Sequence, residues 1–189
     1  MKAKLEKTNI CLFILNTSLF YPALLGTIFY LLLEDFNSIA NDNIRILYVI
    51  SALGIIISFS VDFLYTYASK SIYNWKLFTF DILIILLLFL SYKTLINSLK
   101  YSEPIKPFFT YFILIHAIFI VWDLLIVPEN RKSKKIIIFD FFGFILTLLG
   151  LIWFSNYPLY GVIFLWIFAV FYIFLGFNEV SKLVLKEEK

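Results

Sequence analysis

The chain has 189 residues, 62% of them hydrophobic and 15% charged, with 23 Phe and 12 Tyr. That balance argues against a water-soluble domain, whose apolar share is about 45–50%. A net charge of +3, one Cys and one His exclude an internal disulfide, a Cys-based metal centre and a bis-His haem within one chain, and leave no surface for nucleic acid.

Six apolar stretches follow one another, at roughly 10–33, 45–68, 75–95, 105–127, 136–154 and 159–180. Each is near the ~20 residues that a helix needs to cross the hydrocarbon of a bilayer. Helices are expected because a lipid-exposed backbone must satisfy its own hydrogen bonds. The alternation of a barrel strand is absent. The expected fold is therefore all-α: one polytopic domain over residues 1–189, a six-helix transmembrane bundle in the cell membrane.

The first stretch follows "MKAKLEK" and is too long for a signal peptide, with no small-residue cleavage site after it. It reads as a retained anchor. It carries Asn16, Thr17 and Ser18, then Pro22 in mid-span, where a kink is expected. The second stretch puts Ser51, Ser58 and Asp62 on one face. The fourth places His116 and Asp123 seven residues apart, also on one face. Such a pair suits a proton relay, although a lone intramembrane His is more often a packing residue. The fifth carries Asp140, Gly143, Thr147 and Gly150 on a stripe that would let helices approach closely. Only "SNYPLY" separates it from the sixth, with Pro158 as the breaker.

Sixteen Lys and Arg residues set the orientation. With both termini cytoplasmic, only Arg45, Lys93, Lys100 and Lys106 lie outside; the other twelve lie inside. Trp75 and Trp122 then fall near the inner interface and Trp153 near the outer one. The abundant Phe residues read as lipid-facing bulk.

Two inner turns share a pattern. In "VDFLYTYASKSIYNWKLFTFD" Asp62 closes the second span and Asp81 opens the third; in "WDLLIVPENRKSKKIIIFD" Asp123 closes the fourth and Asp140 opens the fifth. Eighteen and sixteen residues separate the acids of each pair, and Phe80-Asp81 matches Phe139-Asp140. The repeat reads as an Asp–turn–Asp helical hairpin used twice. "YNWKLFTFD" resembles the second-to-third helix turn of voltage-sensor domains over about twenty residues. The likeness implies no voltage sensing here, since no helix carries an arginine ladder and no Lys or Arg occurs between Lys135 and Lys182.

A carboxylate costs up to ~3 kcal/mol in mid-membrane and less near the ends. Two readings of the four acids follow. In one, Asp62, Asp81, Asp123 and Asp140, with His116, line an acidic cytoplasmic vestibule for cations or protons. In the other, each acid pairs with a turn base, such as Asp81 with Lys76, and fixes a hairpin. The first makes the protein a non-enzymatic, oligomeric pore-like or permeability-altering protein. The alternative is an accessory or scaffold subunit, for example in a defence or immunity system, with Arg131, Lys132, Lys134 and Lys135 recruiting a cytoplasmic partner. A lipid-processing enzyme ranks third. There is no HExxH, GxSxG, Walker or Rossmann pattern, and neither a metal nor a cofactor is expected.

Overall fold

A computed structural model describes residues 2–36, 73–101, 103–126 and 134–157, together with individual positions within 43–64 and 160–174. Every regular element among the described residues is helical. Helix α1 covers Lys2–Leu15 and α2 covers Tyr21–Phe36, joined by a π-helical turn at Asn16–Phe20. Helices α3, α4 and α5 cover Trp75–Tyr101, Lys106–Ile126 and Lys134–Phe154. The described positions of the second and sixth expected spans, such as Ile56, Phe63, Ile163 and Trp166, are helical too.

Among the described residues, two helical stretches, Lys7–Phe36 and Trp75–Ser98, are long and apolar enough to cross a membrane. Helices α4 and α5 hold shorter apolar stretches, Lys106–Trp122 and Asp140–Phe154. Large apolar side chains remain exposed along α5, among them Ile138, Phe141 and Ile152. That surface suits a hydrocarbon solvent.

Pro22 does not break the first helix. The backbone stays right-handed helical on both sides of the turn, and the Tyr21 N–H donates to the carbonyl of Asn16, five residues back. A proline ring collides with the carbonyl four residues before it. A single wide turn placed just ahead of Pro22 makes room for the ring, and such π-bulges are, like proline, places where helices bend. Within that turn the Thr17 hydroxyl donates to the Phe13 carbonyl at 2.9 Å.

Helix α3 starts where the sequence supplies a cap. Asn74 Oδ1 accepts the backbone N–H groups of Lys76 and Leu77 at 3.0 and 3.3 Å. The buried face of α3 then runs Leu77, Asp81, Ile84, Leu88, Ser91, Leu95 and Ser98. Steps of four and three residues place all seven on one seam. Helix α4 packs against both α3 and α5. A short link joins α3 to α4, and the Ile105 N–H donates to the Ser155 carbonyl at the end of α5, so α4 runs antiparallel to both. The first rod and α3 run parallel. Asn16 meets Asp81 at one end and Asp35 meets Lys100 at the other.

The main core joins Tyr21, Leu24 and Ile28 of α2 to Ile84, Leu88 and Tyr92 of α3 and Phe108, Phe109 and Phe112 of α4. Those phenylalanines are buried, unlike Phe29, Phe141 and Phe174, so the Phe residues divide between core and exterior. A second, smaller cluster holds Phe13, Tyr73, Leu77 and Trp122. Trp122 is therefore a core residue and not an interfacial belt residue, whereas Trp75 and Trp153 are exposed. On α5 the stripe Asp140, Gly143, Thr147 and Gly150 is buried. It forms the seam with α4, and a Cβ on Gly150 would lie 2.5 Å from Phe109 Cε1. Glycine is required there by the ring's approach, since an added methyl has no room.

Candidate functional site

The small cluster encloses a polar triangle built from three separate segments. Asn16 contributes from the π turn, Tyr73 from the residue before the α3 cap, and Asp81 from the second turn of α3. Asn16 Nδ2 donates to Asp81 Oδ2 at 2.7 Å and to Tyr73 Oη at 2.9 Å. Tyr73 Oη donates to the same Asp81 oxygen at 2.7 Å. All three residues are sealed, at 0%, 3% and 1% exposure respectively.

Local chemistry explains the placement. The Asn74 cap fixes the start of α3 and holds Tyr73 just outside it. The Tyr73 ring lies edge-on to Phe13 at 5.4 Å and beside Leu77. Its hydroxyl thus reaches Asp81, eight residues along. Asp81 lies on the heptad seam of α3, so the helix aims its carboxylate at the first helix. The π turn begins at Asn16, where π-bulges frequently mark functional positions.

Both described donors to Asp81 are neutral groups. Lys76, the expected ionic partner, is exposed, whereas Asp81 is buried. No ion pair between these two residues is seen among the described residues, and the two lie on different sides of α3. Asn16 Oδ1 is buried and receives no hydrogen bond among the described residues. Buried acceptors almost always find a donor, and leaving one without costs about 1–3 kcal/mol.

The other expected site residues are distributed as follows. Asp140 is buried on the α5 stripe, at the same register relative to its seam as Asp81 on α3. His116 is buried between the rings of Phe112 and Phe119, edge-on to both at 5.8 and 6.2 Å. Asp123 lies in α4, but its side chain falls outside the described residues, as does all of Asp62. Arg131 and Lys132 fall outside them as well, and Lys134 and Lys135 open α5 with side chains that are not described. Cys11 is exposed. A cleft of about 160 Å³ beside the π turn is lined by Tyr21, Pro22, Leu25, Ser60 and Phe63, an almost wholly apolar set.

Sequence reasoning placed Asp81 in a candidate site without naming the two donors that the structure describes beside it. Asn16 and Tyr73 are its described partners. Asn16 carried a signal, being an amide in the middle of an apolar span, where unpaired polar groups are costly. Tyr73 carried none, since twelve tyrosines are scattered through the chain. No family model matches this chain, nor does any curated protein or solved structure.

Proposed function

We propose that the chain is a non-enzymatic, multi-pass protein of the cell membrane that assembles as an oligomer and governs the passage of cations. In this reading it is a bundle of six spans with both termini cytoplasmic, and Asp81 is the acid that meets the ion. The observation that carries the reading is the burial of the Asp81 carboxylate on α3, a helix apolar enough to span, with an amide and a phenol as donors. Acids inside membrane helices are rare, face the bundle interior and mark ion or proton routes.

The vestibule expected from four acids becomes an interior position under this reading. Ser91 and Ser98 continue the buried stripe that Asp81 begins, roughly 15 and 26 Å further along at 1.5 Å per residue. Their hydroxyls donate to the carbonyls of Leu87 and Thr94. Asp140 and Thr147 give α5 a similar polar stripe.

The test is cation flux in liposomes reconstituted with the full chain. The Asp81→Asn protein is expected to retain its fold, because the amide keeps an acceptor at the same place, and to lose most of the flux. A folded Asp81→Asn protein that conducts as the wild type does would remove the reading.

A further inference from the structure

We infer that the cleft beside the π turn seats the end of one acyl chain of an anionic phospholipid whose phosphate lies at Lys7. The inference rests on the membrane part of the reading above and is independent of cation passage.

The cleft has the chemistry and size of a hydrocarbon site. Tyr21, Pro22 and Leu25 line it from the first rod, and Ser60 and Phe63 from the second expected span. Pro22 has no N–H to offer. The Ser60 hydroxyl already donates to the Ile56 carbonyl at 2.9 Å. The Phe63 ring stands edge-on to Tyr21 at 5.3 Å and gives the cleft an aromatic wall. Its volume is about 160 Å³, close to that of apolar cavities of ~150 Å³ that stay dry and take up benzene. The space is too small for a whole lipid tail and suits the last six or so carbons of one.

The outer surface of the rod leads from the cleft to a cation. Lys7, Cys11, Leu15, Ser18 and Pro22 are all exposed. Steps of three and four residues put them on one side of the helix. The fifteen residues from Lys7 to Pro22 span about 22 Å at 1.5 Å per residue. Half a bilayer, headgroups included, measures about 20–22 Å. A phosphate at Lys7 therefore puts the end of its acyl chain level with Pro22.

Charge selects the headgroup. No acid among the described residues pairs with Lys7, and the ion pair of Lys100 with Asp35 lies at the other end of the rod. An exposed ammonium at the membrane surface complements an anionic headgroup. A side chain from a second copy would fill the cleft but bring no phosphate to Lys7.

The test uses the full chain in mild detergent with equal amounts of phosphatidylglycerol and phosphatidylcholine of the same acyl chains. Native mass spectrometry counts the lipid retained. The wild type is expected to hold one phosphatidylglycerol, at least about fivefold more often than phosphatidylcholine. Lys7→Gln is expected to cut that preference about fivefold. Ser60→Leu, which fills the cleft, is expected to lower phosphatidylglycerol retention several-fold; Leu25→Trp replaces it if the first variant does not fold. Equal retention of the two lipids by the wild type overturns the inference and needs no variant. A preference unchanged by Lys7→Gln overturns it, as does retention unchanged in a folded, cleft-filled variant. A lipid-free dimer that Ser60→Leu dissolves overturns it too, by giving the cleft to a second copy. Washing membranes with alkaline carbonate separates the two readings. A chain stripped from the bilayer removes the membrane reading and the inference with it, whereas a chain that stays and selects no lipid removes the inference alone.

Discussion

The same two helices are tied together twice, and the ties differ in kind. Asn16 and Asp35 stand nineteen residues apart on the first rod, and Asp81 and Lys100 stand nineteen apart on α3. That separation is about 28 Å along each helix, close to the ~30 Å hydrocarbon thickness of a bilayer. At one end lies the sealed triangle. At the other, Lys100 Nζ meets Asp35 Oδ1 at 3.2 Å, with side chains 23% and 28% exposed. The half-exposed tie uses full charges and contributes little, because solvent competes for both partners. The sealed tie has two neutral donors on one acid among the described residues and is costly to disturb, because water does not reach it. Burial, more than formal charge, sets the strength of each.

Asp81→Leu is the largest expected disruption. It strips the shared acceptor from Asn16 and Tyr73, for a loss of about 2–4 kcal/mol, read as a drop in denaturant midpoint of the detergent-solubilised protein. A loss no greater than that of Asp35→Asn would collapse the contrast between the two ends. A double-mutant cycle sharpens it: Asn16→Ala with Asp81→Ala is expected to couple by about 1–2 kcal/mol, near the upper end for polar contacts between membrane helices.

Gly150→Ala serves as the packing control, away from both ties. The added methyl meets the Phe109 ring, itself locked in the main core. Overpacking costs about 1–3 kcal/mol, against a gain of about 1 kcal/mol in helix propensity over glycine. A net loss of about 1 kcal/mol is expected from the same unfolding measurement. A gain in stability would show that α4 and α5 are not in close approach.

Tyr73→Phe removes one hydroxyl and keeps the ring against Phe13. The expected loss is about 1 kcal/mol, read from the same unfolding measurement. The smallest effect belongs to the exposed end. Asp35→Asn is expected to cost about 0.5 kcal/mol, fading as salt is raised. An effect that does not change between low and high salt would place Asp35 in a more enclosed setting than its exposure indicates.

Much of the helical layout was readable from hydropathy alone. The expected spans at 105–127 and 136–154 lie within two residues of α4, Lys106–Ile126, and α5, Lys134–Phe154. Helix α3 runs on to Tyr101, six residues past the expected end at 95. Hydropathy falls there, but Ile96 and Ser98 still pack inward. The stripe on α5 was legible because small residues at steps of three and four announce a close seam. Trp122 was not, since an interfacial belt position and a buried one look alike when only depth along a helix is known.

The sequence by itself determined what each segment is: its apolar length, its helical period and the Asn74 cap depend on neighbours within a few residues. The place of Asp81 on the seam of α3 came from burial in the structure, since apolar residues occupy most positions of that helix. Only the tertiary structure decided who meets that acid. Asn16 and Asp81 are 65 residues apart, and Asn16 and Tyr73 are 57 apart. The rotation of one helix against another is set by the packing of whole faces, which no local window of sequence contains.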